Sequence, residues 1–141
     1  MGKGCTGWFA FARGLAMGTV ALLSWSAGAG AQVVSEFATP TPSSQPLFIA
    51  AGSDGALWFT EFSANKIGRI TTAGTITEFP VPTNAANPAG ITAGSDGALW
   101  FAEENGNNIA RITTYGAITE FPIPTGASFP IGIAAGPDGA L

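Results

Sequence analysis

The chain has 141 residues, of which 46% are hydrophobic and only 10% are charged, with 20 glycines and 10 prolines. It has no histidine, and its only cysteine is Cys5, so the chain after the leader described below offers no Ser-His-Asp triad, no Cys-His pair and no ordinary zinc site. Val, Ile, Thr and aromatic residues recur in runs too short for helices, between stretches rich in Gly and Pro. This pattern predicts an all-β chain.

Residues 1–31 have the layout of a secretory signal peptide. Lys3 and Arg13 flank the start, a mostly apolar run covers residues 15–25, and small residues follow up to Ala31. We therefore expect cleavage after Ala31 and a secreted or periplasmic protein. The charge-free run over residues 14–35 is also compatible with an uncleaved membrane anchor. Removal of the leader leaves three basic residues against nine acidic ones, which argues against nucleic acid and anionic membrane as partners of the cleaved chain.

From residue 32 onwards the chain is a repeat with a constant offset. The string AGSDGALWF begins at Ala51 and again at Ala93, and AGPDGAL begins at Ala135. Residues 46–87 and 88–129 are identical at about two thirds of their positions. A period in the low forties made of short strands is typical of β-propeller blades, each of which is a four-stranded sheet.

Turn residues divide each unit into four strands. In the second unit we predict strands near residues 91–93, 99–103, 109–113 and 118–121, with equivalents one repeat earlier. Prolines make the fourth strand an outer edge, because proline cannot donate to a ladder, and the small residues of the first strand suit a crowded central channel. The aromatic residues of the second strand are predicted to be core: Trp58, Phe59, Trp100 and Phe101.

These divisions predict a signal peptide over residues 1–31 and an incomplete β-propeller of about two and a half blades over residues 32–141. The blades cover residues 46–82 and 88–124, and a third blade starts over residues 130–141. Propellers close with roughly 4 to 8 blades. We therefore expect the chain to be the N-terminal part of a longer protein.

Residues 33–37 align with the fourth strands of both later units, although no first, second or third strand precedes them. In a closed ring, an outer strand of this kind pairs with the third strand of the last blade and clasps the two ends of the chain together. We predict that residues 33–37 find no partner in this chain.

The short loop between the third and fourth strands sets the pairing of charged residues. If Ala73 and Gly74 form a two-residue hairpin loop, Arg69 faces Glu78. The same count through Tyr115 and Gly116 predicts a second cross-strand ion pair, between Arg111 and Glu120.

Carboxylates are the remaining candidates for chemistry. Asp54, Asp96 and Asp138 sit in Asp-Gly turns, where an aspartate supports the turn. Glu61 and Glu103 end the second strand near one rim. For these two residues a metal-binding role and a solvated loop end are both open.

The strings LWFTEFSANKIGRITTAGTITEFPVPT and LWFAEENGNNIARITTYGAITEFPIPT resemble the virginiamycin B lyase, or streptogramin lyase, family. The resemblance covers essentially everything after the leader. It implies a seven-bladed propeller and a magnesium-dependent lyase, which inactivates a cyclic depsipeptide antibiotic by elimination across its ester linkage, with histidine as the base.

The family's catalytic histidine looks like the second residue of a Pro-His-Gly-Ile motif at the start of an inner strand, but Leu47, Ala89 and Ile131 fill the equivalent positions here. We therefore assign no catalytic residue and no metal ligand to this chain, and expect it to be inactive alone. Magnesium is implied by the resemblance only for a complete protein. For a small cyclic peptide ligand, the candidate residues of a funnel wall are Leu47, Phe48, Ala89, Gly90, Ile131 and Gly132.

Two functions remain open for the complete protein. It is either a lyase of the streptogramin type, with this chain as scaffold and part of the funnel wall, or a secreted non-catalytic propeller that binds a ligand or protein. The candidate wall residues are also compatible with inert channel packing.

Overall fold

The computed structural model describes the backbone of residues 19–23 and the whole of residues 34–141. The described residues form β-strands and no α-helix, so no helix among them is long and apolar enough to cross a membrane. In chain order the strands are β1 (Thr19–Leu23), β2 (Val34–Ala38), β3 (Pro46–Ala51), β4 (Leu57–Glu61), β5 (Lys66–Ile70), β6 (Ile76–Pro80), β7 (Pro88–Ala93), β8 (Leu99–Glu103), β9 (Asn108–Ile112) and β10 (Ile118–Pro122).

Eight of these strands form two antiparallel sheets of four strands each. One sheet has the order β3-β4-β5-β6, which we call the first blade, and the other has the order β7-β8-β9-β10, the second blade. The first and fourth strands are thus the two edges of each sheet, as predicted. Pro80 and Pro122 end the fourth strands at an edge, where a missing amide donor costs no ladder hydrogen bond.

The two blades pack against each other through one core cluster. Trp58 and Ile67 of the first blade join Leu99, Phe101 and Ile112 of the second blade, and all five side chains are at most 1% exposed. Successive strand residues point to opposite faces of a sheet, so the neighbours of Trp58 lie on the other side of the first blade. That opposite face forms a smaller cluster.

The smaller cluster contains Phe59 and Ile70, with Phe37 of β2 packed against them. The prediction that the aromatic residues of the two second strands are core is therefore confirmed for Trp58, Phe59 and Phe101. Trp100 is only half-buried, and its prediction as a core residue is wrong. It lies on the face of the second blade that points away from the first blade, where its ring stacks on Phe121 at 5.4 Å.

The loop between β5 and β6 is one residue longer than predicted. The Thr71 amide donates to the Thr75 carbonyl at 3.0 Å, and the Gly74 amide donates to the Thr71 carbonyl at 2.9 Å. Gly74 has a φ of 85°, the left-handed conformation that closes a three-residue hairpin loop. The same two hydrogen bonds recur in the second blade, around Gly116.

The longer loop shifts the ladder by one residue. Arg69 faces Thr77 instead of Glu78, and Arg111 faces Thr119 instead of Glu120. Each arginine therefore lies on the opposite face of the sheet from its predicted partner. The two predicted arginine–glutamate ion pairs are wrong, because three residues, 72–74 and 114–116, form each loop instead of two.

The prediction that residues 33–37 lack a partner is also wrong. β2 runs antiparallel to β1, with Val34 opposite Leu23 and Ala38 opposite Thr19. The apolar run TVALL of β1 has the composition of a strand, and its pairing covers an edge that would otherwise present unpaired amides and carbonyls. The predicted cleavage site and the rest of the leader lie outside the described residues. β5 keeps its predicted neighbours β4 and β6.

β2 stands beside the first blade in the place that β6 takes beside the second blade. A Cβ atom added to Gly74 would meet the Phe37 ring at 2.0 Å, and one added to Gly116 would meet the Phe79 ring at 2.2 Å. Phe37 and Phe79 are equivalent positions of successive repeats, so the same contact occurs twice. β2 thus occupies the position of a fourth strand from a preceding blade.

Residues 124–141 form no strand, although the third repeat begins there. Its Asp-Gly turn is nevertheless present, because the Gly136 amide donates to the Ala140 carbonyl at 2.7 Å. The matching hydrogen bonds of the first two units, from Gly52 and Gly94, are 2.8 Å long. The third unit has the turn of a blade without its sheet.

Candidate functional site

The start of the first strand and the end of the second strand meet at one end of each blade. Pro46 of β3 faces Glu61 of β4, and Pro88 of β7 faces Glu103 of β8. We call this the glutamate end. The predicted funnel-wall residues directly follow the two prolines, at a point where the register of the ladder shifts.

The predicted wall residues differ in exposure. Leu47 and Phe48 are 46% and 42% exposed, and Ile131 is 54% exposed. Ala89 is buried at 1% exposure, Gly90 is also buried, and Gly132 is exposed. Large apolar side chains therefore reach solvent from the first and third units, while the second unit contributes two small, covered residues.

A hydrogen bond connects the second and third units at this end. The Gly90 amide donates to the Ile131 carbonyl at 2.7 Å, which places the start of the third unit against β7. In the first blade, the equivalent Phe48 amide donates to the Thr60 hydroxyl at 3.2 Å, within its own sheet. Since β3 also lies beside β7, the three candidate pairs follow one another along the inner edges of the blades.

Glu61 is fully buried at this end, so its interpretation as a solvated loop end is wrong. Neither of its carboxyl oxygens has a hydrogen-bond partner. Burial raises the pKa of Glu61 to about 7, and the charge of Glu78 adds to the rise, while the nearby Ser44 hydroxyl and Lys66 act in the opposite direction.

Glu103 is equally buried in the second blade, and a solvated loop end is wrong here too. The Asn108 amide donates to its Oε2 at 2.7 Å, and its Oε1 has no partner. Burial raises the pKa of Glu103 to about 7, the Asn108 hydrogen bond acts against this rise, and the neighbouring Glu120 carboxyl contributes to it.

The glutamate of each fourth strand ties the blade to the loop before it. Glu78 accepts from the Thr41 amide at 2.7 Å and from Lys66 Nζ at 2.6 Å. In the second blade, Glu120 accepts from the Thr83 amide at 2.8 Å. Although burial acts against it, hydrogen bonds from Lys66 and Thr41 hold the pKa of Glu78 below its ordinary value.

Asn65 and Asn107 each bind the loop that follows their own blade, and each has a left-handed φ near 55°. Asn65 Nδ2 donates to the Thr83 carbonyl at 2.9 Å, and Asn107 Nδ2 donates to the Thr125 carbonyl at 3.1 Å. Sequence reasoning missed these asparagines and the threonines. The signal was available, because they are identical residues at equivalent positions of successive repeats.

The Asp-Gly turns lie at the other end of the blades. Asp138 accepts from the Ala140 amide of its own turn, as predicted, whereas Asp54 and Asp96 do more than support the turn. Asp54 accepts from the Ala56 amide within its turn, from Trp58 Nε1 at 3.1 Å and from Arg69 Nε at 2.7 Å. The second blade repeats these contacts, with Arg111 Nε at 2.6 Å from Asp96. These hydrogen bonds join the turn to two strands. Arg69 and Arg111 therefore form ion pairs with these aspartates instead of the predicted glutamates.

A small cavity of about 50 Å³ also lies at the turn end of the first blade. Its lining residues are Gly55, Leu57, Ile70, Thr71 and Thr72. Pockets for drug-sized ligands measure roughly 300–1,000 Å³. The cavity is too small for such a ligand, and it is remote from the predicted wall residues.

No three His, Cys, Asp or Glu residues among those described are grouped so that they could hold a metal ion. The buried Glu61 and Glu103 each stand in a separate blade, and magnesium or calcium requires more oxygen ligands than one carboxylate supplies. The described residues therefore do not fit the magnesium that the family resemblance implies.

Two consecutive four-stranded blades with the same hydrogen bonds at matching positions define part of a β-propeller. A family model described as the virginiamycin B lyase family matches residues 8–141. The chain belongs to this family.

Solved structures agree with this assignment. The chain is 56% identical to virginiamycin B lyase from Staphylococcus aureus, with a TM-score of 0.74, over 75% of this chain and 36% of that one. A catalytically inactive histidine-to-alanine variant of that enzyme, solved with quinupristin, matches with the same values. A streptogramin B lyase structure matches at 54% identity and a TM-score of 0.75, over 77% of this chain and 36% of that one. The chain thus spans about a third of the length of these relatives.

Proposed function

We propose that the chain forms part of the ligand-binding wall of a secreted, streptogramin lyase-like propeller. The observation that carries this proposal is the exposure of Leu47, Phe48 and Ile131 at the glutamate end. Apolar side chains presented on the inner edges of rigid sheets suit a ligand with a large apolar surface. The relative solved with quinupristin supports a small streptogramin as the ligand class.

The chemistry of ring opening requires a group that removes a proton from the substrate. The chain has no histidine, and Leu47, Ala89 and Ile131 fill the positions of the family motif. We expect no elimination by this chain alone. Its contribution is to position the ligand, and the base has to come from elsewhere in a complete enzyme.

A non-catalytic propeller that only binds its ligand is the second candidate. It is favoured by the same positions, because all three motif equivalents in the chain carry apolar residues instead of histidine. Both candidates predict binding at the glutamate end. They differ in whether any longer form of the protein turns the ligand over.

Binding of quinupristin to the 141-residue chain, measured by isothermal titration calorimetry, tests the proposal. We expect Phe48→Ala to weaken binding about fivefold or more, as the loss of about 1 kcal/mol of apolar contact would do. Tyr115→Ala is the matched control, because Tyr115 is 94% exposed in the loop before β10, at the turn end. Absence of binding, or equal effects of the two substitutions, would contradict the proposed wall.

Turnover is measured on the same samples by mass spectrometry of the opened ring. We expect none above the buffer background. Ring opening that a substitution in this chain abolishes would show that the chain carries its own base.

A further inference from the structure

Three equivalent residues directly precede the proline that begins each unit, and all three have a left-handed backbone. Gln45 has a φ of 56°, Asn87 has a φ of 53° and Phe129 has a φ of 48°. The same conformation recurs at each repeat with a different side chain, so the fold imposes it. Asparagine tolerates this conformation better than most residues, whereas a bulky side chain is strained in it. Phe129 is therefore the strained member of the three.

The first two units use the polar side chain at this position to hold a loop at the glutamate end. The Ser63 hydroxyl donates to Gln45 Oε1 at 2.6 Å, within the loop that follows Glu61. In the second blade, Asn105 Nδ2 donates to Asn87 Oδ1 at 2.6 Å. The polar residue at this position thus contributes to folding in both blades.

Phe129 has no polar group to make such a bond, and it belongs to neither core cluster. Its side chain is 55% exposed. The backbone is nevertheless fixed on both sides of it, because the Ser128 amide donates to Asn107 Oδ1 at 2.8 Å and the Ile131 carbonyl accepts from the Gly90 amide at 2.7 Å. The chain therefore holds an exposed aromatic residue two positions before the wall residue Ile131, at a cost in strain.

We propose that Phe129 is a further ligand-contacting residue of the wall, which receives an apolar part of the cyclic depsipeptide. The inference rests on the proposed function and adds a residue to it. Strained conformations are found preferentially at ligand sites, where binding and not stability retains them. An aromatic ring offers a large apolar surface to a ligand. Phe129 thus contributes to binding what Gln45 and Asn87 contribute to folding.

Hydrogen exchange of the Gly90 amide tests the strain, because this amide is bonded to the third unit and its own sequence neighbours stay unchanged. Phe129→Asn copies the second unit and relieves the strain. We expect it to slow Gly90 exchange about threefold or more, since opening of the third unit would no longer release strain. Unchanged or faster exchange would mean that the ring stabilises the fold, and it would overturn the proposal.

Titration calorimetry with quinupristin tests the contact. Phe129→Asn should weaken binding about fivefold or more, whereas Phe129→Tyr, which keeps the ring, should bind within about twofold of the wild-type chain. Ala127→Asn is the matched control, because Ala127 is exposed and has a φ of 53° in the same loop. It should leave the affinity unchanged. The variant that makes the loop less strained should thus be the one that binds the ligand less tightly.

The outcomes separate this inference from the proposed function. If Phe48→Ala weakens binding and Phe129→Asn does not, the wall stands and the role of Phe129 is wrong. Equal losses in Phe129→Asn and Ala127→Asn would show that the loop conformation matters and the ring does not, which would also overturn the inference. Absence of quinupristin binding by the wild-type chain would refute the proposed function, and the role of Phe129 with it.

Discussion

The first and second blades are built from nearly the same sequence, yet they complete their glutamate ends with different chemistry. In the first blade Lys66 neutralises Glu78, and Thr60 accepts the amide of Phe48. In the second blade asparagine replaces the lysine and Ala102 replaces the threonine, so the Gly90 amide donates to the third unit instead. The comparison shows that the repeat retains backbone positions, while single side chains decide charge balance and the connection to the next unit.

The two blades also differ in how their equivalent faces are covered. Phe101 of the second blade lies in the large cluster between the blades, whereas the equivalent Phe59 lies in a cluster of two buried residues covered by Phe37. Identical residues therefore have unequal amounts of packing around them. Three sets of substitutions test how far this inequality extends.

The largest effect is expected at the aromatic pair. Phe101→Ala should reduce the free energy of unfolding by about 3–5 kcal/mol, the usual cost of removing a buried phenylalanine ring. Phe59→Ala should cost less, because fewer buried side chains surround Phe59. Urea denaturation followed by tryptophan fluorescence measures both. Equal losses would mean that β2 and its neighbours cover the first blade as completely as the first blade covers the second.

A smaller effect is expected where the blades differ by one methyl group on the third strand. A Cβ atom at Gly68 would lie 2.1 Å from the Phe59 ring, whereas the equivalent Ala110 is accommodated and buried. Gly68→Ala should therefore destabilise the chain by about 1–3 kcal/mol through overpacking, measured by the same urea denaturation. The reverse change, Ala110→Gly, should cost about 1 kcal/mol through a lost contact and a more flexible strand. A neutral Gly68→Ala variant would show that the Phe59 ring can move aside.

The smallest effect is expected at the hydrogen bonds between successive Asp-Gly turns. Ser53 Oγ donates to the Gly97 carbonyl at 2.7 Å, and Ser95 Oγ donates to the Gly139 carbonyl at 3.2 Å. Both bonds are exposed, so Ser53→Ala should cost about 0.5–1 kcal/mol in urea denaturation, and Ser95→Ala less. A larger loss for Ser95→Ala would indicate that the third unit stabilises the second blade more than its turn alone suggests.

Much of the fold was predictable because the repeat is nearly identical in its two complete units. The period, the four strands of each blade and the outer position of β6 and β10 all follow from hydrophobic runs and turn residues. The loop around Gly74 was not, since a left-handed glycine at this position is compatible with both a two-residue and a three-residue hairpin loop. The one-residue difference in loop length, here and around Gly116, decided the partners of both arginines.

The candidate site was predictable in position but not in environment. The wall residues of the two blades do lie at the start of the first strands. Leu47 and Phe48 are exposed, however, whereas the equivalent Ala89 and Gly90 are buried. Sequence position at the end of a strand suggested solvent for Glu61 and Glu103. Their burial depends on loops that fold over them from elsewhere in the chain, and local pattern contains no information about such covering.

By itself, the sequence determined the all-β class, the family and the absence of a histidine base, because these depend only on which residues recur and at what spacing. Only the tertiary structure decided which face of each blade is covered, that β2 pairs with β1, and that two glutamates are buried beside other charged groups. The physical reason is that burial and pKa depend on every element packed around a side chain. Those elements are brought together by folding, from distant parts of the sequence, and are not encoded in the neighbouring positions of the chain.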